Sequence, residues 1–225
     1  MLQHNPLQET YAVGDAPWSL TILSIGMCVG WLANYIAMIR KSFQDRTYGM
    51  ALMPLCCNIA CEFVYGVIYP PDIPIWPYIF ASWLALNFLV VYAAMKFAPN
   101  EWSHAPLVEQ NLPCIFAVSI AMWMSAHLTL VAHVGQSAAA AWSSWFCQLL
   151  LSAGGLCQLI VRGSTRGTSL FIWYVFIPEG HYLFCLMADL SGIPGPVDSS
   201  GLSLPCHMRF CGTDMDTQMS FGIVR

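Results

Sequence analysis

Long apolar stretches separated by short polar segments dominate the chain as far as residue 161. A helix needs about 20 apolar residues to cross a bilayer, and each stretch reaches roughly that length. The pattern therefore predicts an all-α, polytopic transmembrane bundle with five clear spans, at roughly 18–39, 49–69, 77–97, 113–133 and 139–161.

The rest of the chain divides by polarity. Residues 1–17 are polar and acidic, without a basic region, so we expect an exposed N-terminal tail and no cleavable signal peptide. The bundle is predicted to extend over 18–190, ending in a broken sixth helix whose two short apolar runs are separated at Pro178. Residues 191–225 are rich in Gly, Pro and Ser and are expected to form an irregular, disordered or aberrant tail.

Basic residues predict the orientation. They follow the first, third and fifth spans, as Arg40, Lys41, Arg46, Lys96, Arg162 and Arg166. The N-terminal tail and the loops after the second and fourth spans contain no Lys or Arg. Because basic loops stay in the cytosol, the N-terminus is predicted to be lumenal and the loop at 162–167 cytosolic.

Composition supports the membrane assignment. The chain is 57% hydrophobic and 9% charged, with a mean hydropathy of +0.59. A soluble domain carries about 25% charged residues, so this chain has too few to cover a water-facing surface. The net charge of −4 gives no indication of nucleic-acid binding. Most of the ten cysteines lie in apolar runs, where a thiol behaves as a small hydrophobe, and we predict neither disulfides nor a metal site.

A single carboxyl group, Glu62, interrupts the second apolar stretch. Asn58 and Tyr65 lie one helical turn to either side and are predicted to share its face. An apolar environment disfavours a charged carboxylate, so Glu62 is expected to be a neutral acid. Two interpretations remain open on these grounds: a proton donor in a dry pocket, or an interhelical hydrogen bond with Asn34 or His127.

Other candidates carry weaker signals. His127 and His133 are six residues apart and do not share a helix face, which argues against a metal pair. Aromatic residues such as Trp31 could line a pocket and stabilise a cation through their π faces. Asp189 is either a second buried acid or a helix-end residue. The chain has no phosphate-binding loop, dinucleotide fingerprint or zinc-protease motif.

Three segments resemble a known family: TYGMALMPLCCNIACEFVY (47–65), EWSHAPLVEQNLP (101–113) and CQLLLSAGGLCQLIVRGSTRGTS (147–169). They are similar to the small fungal membrane-bound terpene cyclases, most closely to the branch that serves paxilline-type indole-diterpene pathways, with relatives in meroterpenoid pathways. The resemblance covers about residues 18–173.

The resemblance implies a seven-helix fold and catalysis without a metal or other cofactor. An acid protonates the epoxide of an epoxidised prenyl chain, the carbocation cyclises, and proton loss ends the cascade. Glu62 stands at the position of the catalytic glutamate of the second span, and Asp189 is a candidate for the second acid. The implied substrate is a lipophilic geranylgeranyl-indole dissolved in membrane lipids of the endoplasmic reticulum, supplied by an epoxidising monooxygenase of the same pathway.

The chain departs from the family pattern in two places. Cys61 stands where tryptophan usually precedes the glutamate, so an aromatic side chain beside the acid is missing. The resemblance declines after Trp173, and only the run at 181–190 remains where the family continues through two further helices. Two alternative hypotheses are a small proton-coupled transporter, which would favour inverted repeats that we do not find, and an inactive, truncated membrane scaffold.

Overall fold

Five α-helices make up the part of the chain that the structure, a computed structural model, describes: residues 18–70 and 74–173. They are α1 (Trp18–Asp45), α2 (Leu52–Phe63), α3 (Trp76–Trp102), α4 (Pro106–Val134) and α5 (Gln136–Arg162), and a π-helical turn (Val64–Ile68) continues α2. No β-strand occurs within these described ranges. The predicted all-α class is confirmed for this part of the protein.

Each of the five predicted apolar stretches coincides with one helix. Among the described residues, α3, α4 and α5 are long and apolar enough to cross a membrane. The numbers of crossings, five here and seven for the family, remain predictions. Helical structure resumes at 170–173. Most of the predicted broken sixth helix, with Asp189, and both predicted tails lie outside the described residues.

The helix ends differ from the predicted ends at the polar segments. Pro113 was expected to begin the fourth span, but α4 begins at Pro106 and contains Pro113. Proline is well tolerated at the first helical position because its missing N–H would have no partner there. Pro113, inside the helix, has no N–H to donate to the carbonyl of Glu109.

The second helix is the centre of the bundle. It packs against α3, α4 and α5, while α1 packs mainly against α3. Residues 54–62 of α2 are all buried. Side chains of α3, α4 and α5 such as Phe88, Met122 and Ile160 point outward, as expected for surfaces that face lipid. The side chains with the least access to the surroundings are therefore those of α2.

The loops after α1, α3 and α5 meet at one end of the bundle. Asp45 accepts a hydrogen bond of 2.8 Å from the backbone N–H of Gly167. Glu101 accepts one of 2.5 Å from Thr47 and forms an ion pair of 3.5 Å with Arg162. This arrangement agrees with the alternation predicted from the basic residues; which compartment this end faces remains a prediction.

Hydrogen bonds and charge stabilise the carboxylate of Asp45 at this end. Burial alone would raise the pKa of Asp45. The hydrogen bond from Gly167, together with Lys41 at 3.0 Å and the nearby Arg166, outweighs that effect and lowers the pKa below its ordinary value. The charged form of Asp45 therefore holds the loop after α5 against the end of α1.

One residue, Gly135, connects α4 and α5. Its φ of 83° lies in a region that L-residues rarely adopt, and its N–H donates to the carbonyl of Val131 at 2.9 Å. Gly135 is thus both the last residue before α5 and the first residue after α4. The link makes α4 and α5 antiparallel neighbours.

Candidate functional site

Glu62 lies on the face of α2 that is turned toward α1 and α3. Its side chain is only 4% exposed. Asn58 precedes it by one turn, Tyr35 comes from α1 and Asn87 from α3, and all three are buried. Three separate helices therefore surround one carboxyl group with polar side chains.

The three neighbours direct hydrogen-bond donors at the carboxyl oxygens. The hydroxyl of Tyr35 donates to Oε1 at 2.7 Å, and Nδ2 of Asn87 donates to Oε2 at 2.7 Å. Nδ2 of Asn58 donates to Oε1 at 3.3 Å. The Tyr35 oxygen in turn accepts hydrogen bonds from the amides of Asn58 and Asn87, the latter at 2.9 Å. The four side chains form one closed network.

This network contains donors but no cation. None of the ion pairs found within residues 18–70 and 74–173 includes Glu62. Burial of an unpaired charge is costly, so the environment favours the uncharged acid at rest. Hydrogen bonds to a carboxylate are about twice as strong as those to neutral groups. The same donors therefore interact more strongly with a carboxylate at this position than with the neutral acid.

An aromatic layer, defined here as Trp31, Trp76, Phe80 and Trp83, lies beside this network. Trp31 is one turn from Tyr35 on α1, and their rings are 5.6 Å apart. Trp83 is one turn from Asn87 on α3; its ring lies 6.3 Å from Trp31 and 5.4 Å from Phe80. The structure places Trp31 in this layer; that it lines a substrate pocket stays a prediction. The layer offers π faces that can stabilise a positive charge.

Tyr65 does not join the network of Glu62. Its hydroxyl lies 2.9 Å from Oγ of Ser143 on α5, and Nδ1 of His127 lies 2.9 Å from the same oxygen. The expectation that Asn58, Glu62 and Tyr65 share one polar face is wrong at Tyr65. Tyr65 is instead the second residue of the π-helical turn that begins at Val64, and its hydroxyl contacts Ser143 of α5.

The proposed hydrogen bonds from Glu62 to Asn34 or His127 are also not formed. His127 faces Ser143 and Cys57 instead. Asn34 is completely buried, and neither its Nδ2 nor its Oδ1 has a hydrogen-bond partner among the described residues. Cys61 packs with Cys57, Tyr65 and Cys147 rather than beside the carboxyl group. The departure from the family pattern at Cys61 therefore lies toward α4 and α5.

Sequence reasoning missed Tyr35, Asn87 and Ser143. Asn87 lies within the third apolar stretch and gave a usable signal, since buried polar groups in membrane helices need partners. Tyr35 is adjacent to Asn34, and nothing in the sequence indicated which of the two would face α2. Ser143 is one of several serines in the fifth stretch and is not distinguished by its spacing.

Two cavities lie near the end of the bundle where the loops meet. One of about 250 Å³ is lined by Met38, Met50, Leu151 and Ile172, and a more open one of about 550 Å³ is lined by Tyr48, Trp102 and Leu150, among others. Neither is lined by Glu62. In this conformation the acid is closed off from both.

Known proteins similar to this chain belong to one family of membrane enzymes. Residues 4–178 match the family described as Pyr4-like transmembrane terpene cyclases. The chain is 55% identical over 160 residues to terpene cyclase dpmpB of Macrophomina phaseolina, covering 71% of this chain and 66% of that protein. It is 51% identical over 166 residues to terpene cyclase atmB of Aspergillus flavus, covering 74% and 68%.

A third relative, terpene cyclase pyr4 of Aspergillus fumigatus, is 51% identical over 172 residues, covering 76% of this chain and 70% of that protein. The chain thus spans about two thirds of the length of the curated relatives it matches. No solved structure matches it. The family match covers well over half of the chain and includes Glu62 and its three hydrogen-bonding neighbours. The chain therefore belongs to the Pyr4-like transmembrane terpene cyclases.

Proposed function

We propose that the protein cyclises an epoxidised prenyl substrate, with Glu62 as the acid that starts the reaction. The observation that carries this proposal is a buried carboxyl group with three neutral donors and no cation among the described residues, beside an aromatic layer. A proton donor that acts without an ionic partner and next to π faces suits a reaction that passes through carbocations.

The proposed first step moves one proton and breaks one bond. The proton of Glu62 passes to the epoxide oxygen as the carbon–oxygen bond of the ring breaks, and the oxygen becomes a hydroxyl group. The electron-deficient carbon left behind is attacked by the π electrons of the next double bond, which forms a carbon–carbon bond and a new cation. Loss of a proton from the last cation ends the cascade, so that the product is an isomer of the substrate.

Tyr35 and the two asparagines contribute by stabilising the carboxylate that this step creates. Their hydrogen bonds strengthen as the negative charge develops on Glu62, so they stabilise the transition state more than the ground state. None of the three needs to move to do so, because each already contacts an oxygen of the carboxyl group. The aromatic layer keeps water from the cation and stabilises it through π faces.

Several finer expectations belong to the same proposal. The substrate is an epoxidised geranylgeranyl-indole that reaches the site from the lipid phase, after an epoxidising monooxygenase has acted. Catalysis needs no metal or cofactor, and the enzyme is an isomerase or lyase of secondary metabolism in indole-diterpene or mycotoxin pathways. Five spans cross the membrane of the endoplasmic reticulum with the N-terminus in the lumen. Asp189, outside the described residues, stays a predicted second acid.

The substrate needs a path to the acid. Glu62 is 4% exposed and lines neither of the two cavities described above. We expect side chains of the aromatic layer to move when the prenyl chain enters. The layer lies on α1 and α3, so the entry route is expected to run between these two helices.

The test uses microsomes that contain the protein, incubated with epoxidised geranylgeranyl-indole. General acid catalysis contributes about 10²- to 10⁴-fold, so Glu62→Gln should lose at least about 100-fold of the cyclisation rate. Glu109→Gln is the matched control, because Glu109 lies in the first turn of α4, away from the network. Cyclised product from the parent and the control, but not from Glu62→Gln, supports the proposal.

Equal turnover by the parent and Glu62→Gln would remove Glu62 from the mechanism. The absence of product from a correctly inserted parent chain would favour the scaffold hypothesis. Proton flux into vesicles that is coupled to a solute and lost in Glu62→Gln would favour the transporter.

A further inference from the structure

A second polar cluster lies on the other side of α2, away from the network of Glu62. Cys57 of α2, His127 of α4 and Cys147 of α5 are all buried and converge on one point. The Sγ atoms of the two cysteines are 3.5 Å apart, and Nε2 of His127 lies 3.8 Å from Sγ of Cys57. All three atoms lie within 4.8 Å of one another.

From these contacts we propose that Cys57, His127 and Cys147 bind a zinc ion that joins α2, α4 and α5. The proposal does not depend on the cyclase mechanism. It differs from the expectation from sequence, which assigned the cysteines no metal role because a thiol within an apolar run behaves as a small hydrophobe.

The separations agree with those of a tetrahedral zinc site. With Zn–S bonds of about 2.3 Å and Zn–N bonds of about 2.0–2.1 Å, two sulfur ligands lie about 3.8 Å apart, and a sulfur and a nitrogen about 3.5 Å. The observed sulfur–sulfur distance of 3.5 Å is about 0.3 Å shorter than the first of these values, and the sulfur–nitrogen distance of 3.8 Å is about 0.3 Å longer than the second. Two thiols and an imidazole are also the ligand types that zinc prefers.

The imidazole of His127 has a hydrogen-bonding partner at its other ring nitrogen, as zinc-bound histidines have. Nδ1 of His127 lies 2.9 Å from Oγ of Ser143, which itself lies 2.9 Å from the hydroxyl of Tyr65. With the Nδ1 hydrogen donated to Ser143, Nε2 carries the free lone pair on the side of Cys57. Hydrogen bonds of this kind fix the ring and its tautomer at metal sites.

Charge balance favours a divalent ion in this buried position. Binding displaces one proton from each of Cys57 and Cys147, and the two thiolates then neutralise the two positive charges of the ion. His127 binds as the neutral ring. A neutral complex avoids the cost of an uncompensated charge in an apolar interior. Three protein ligands leave a fourth position that a small molecule or another side chain can take.

Metal analysis of the purified protein, exchanged in detergent against a zinc buffer, tests the proposal. We expect one zinc ion per chain in the parent and loss of that ion in Cys57→Ser and Cys147→Ser. Cys56→Ser is the matched control, because Cys56 is the buried neighbour of Cys57 and is not part of the cluster. His127→Ala removes the third ligand, and its control is His133→Ala, because His133 is exposed on α4.

Cobalt substitution of the parent gives a second measurement that needs no variant. Cobalt bound by two thiolates shows an intense thiolate charge-transfer band in the near ultraviolet and the visible bands of a tetrahedral site. Absence of both, or zinc that is substoichiometric in the parent, would overturn the proposal. So would zinc content that is unchanged in Cys57→Ser and Cys147→Ser, or a Cys57–Cys147 disulfide found by mass spectrometry under non-reducing conditions.

Discussion

The hydroxyl of Tyr35 donates a hydrogen bond of 2.7 Å to Oε1 of Glu62 and thereby joins α1 to α2 at the candidate acid. Tyr35 is completely buried, and its oxygen also accepts from the amides of Asn58 and Asn87. One phenol thus contacts the other three members of the network. Its removal affects both the carboxyl group and the side chains that position it.

Replacement of Tyr35 by Phe should slow cyclisation without removing the acid. The variant loses a donor to Glu62 and leaves two buried amides with one acceptor fewer, at a cost of about 1–3 kcal/mol for each unsatisfied group. A loss of about 1.4 kcal/mol of transition-state stabilisation slows a reaction about tenfold. We therefore expect the cyclisation rate to decrease about 10- to 100-fold, which is a smaller loss than for Glu62→Gln. The rate of product formation in microsomes measures the effect.

The matched control is Tyr92→Phe on α3, since Tyr92 is exposed and lies away from the network. Normal turnover by Tyr35→Phe would show that the phenol is only structural.

Ser143→Ala should weaken the proposed zinc site while leaving its three ligands in place. The substitution removes the oxygen that lies 2.9 Å from Nδ1 of His127. Loss of such a partner lowers metal affinity by about 10- to 100-fold. Competition with a chelator measures the affinity, and Ser125→Ala on the exposed side of α4 is the control. Equal affinity in both variants would contradict the positioning role of Ser143.

Glu62 could be recognised from the sequence as the candidate acid, but only part of its surroundings could be predicted. Glu62 was found because a carboxyl group in an apolar stretch is costly, and Asn58 because it lies one turn away on the same helix. Tyr35 and Asn87 come from other helices, whose rotation and depth decide what they contact. In this bundle nearly every helix face is apolar, so periodicity carries little information about rotation. The π-helical turn that contains Tyr65 has no recognisable signature in the sequence.

The helix boundaries show a related limit. The five helices were predictable from apolar length, but α1, α3 and α4 extend beyond their apolar stretches into polar segments. The length of an apolar stretch indicates which residues face lipid. A helix, however, continues for as long as its backbone groups remain hydrogen-bonded, including in polar segments. The proposed metal site was not predictable, because its three ligands lie on three helices and are brought together only by packing.

Gly154→Ala should destabilise the contact between α5 and α2. A Cβ atom at this position would lie 2.6 Å from Cγ of Pro54, too close for the helices to keep their spacing. Overpacking of this kind costs about 1–3 kcal/mol. The adjacent Gly155→Ala is the control, since its Cβ would lie 3.4 Å from Trp173, and a helical Gly→Ala change there should be neutral or stabilising by up to about 1 kcal/mol.

Thermal unfolding in detergent, followed by circular dichroism, compares the two glycine variants. We expect Gly154→Ala to lower the melting temperature and Gly155→Ala to leave it unchanged or raise it. A shift of the same sign and size in both would show that α5 can move away from Pro54 without cost.

Asp45→Asn should lower stability in a pH-dependent way. The folded-state pKa of Asp45 is lowered, although burial opposes this, by the hydrogen bond from Gly167 and by Lys41. A carboxyl group with a lowered pKa contributes stability above its unfolded pKa, and loses it as the pH falls through the lower folded value. We expect a difference of about 1 kcal/mol between parent and variant at neutral pH, vanishing in strong acid. The melting temperatures of the parent and Asp45→Asn, measured from pH 7 downward, test this, and Glu109→Gln is the control. A difference between parent and Asp45→Asn that stays constant at all pH values would contradict the prediction.

The burial of residues 54–62 has a consequence for how the protein senses its surroundings. Bilayer thickness and lipid type act on a helix through the side chains that touch acyl chains, and tilt or stretch the helix accordingly. Over these nine residues α2 presents no such side chain, and α3, α4 and α5 lie around it. Glu62 is thus separated from acyl chains by the surrounding helices, and changes of lipid composition act on the outer helices before they affect Glu62.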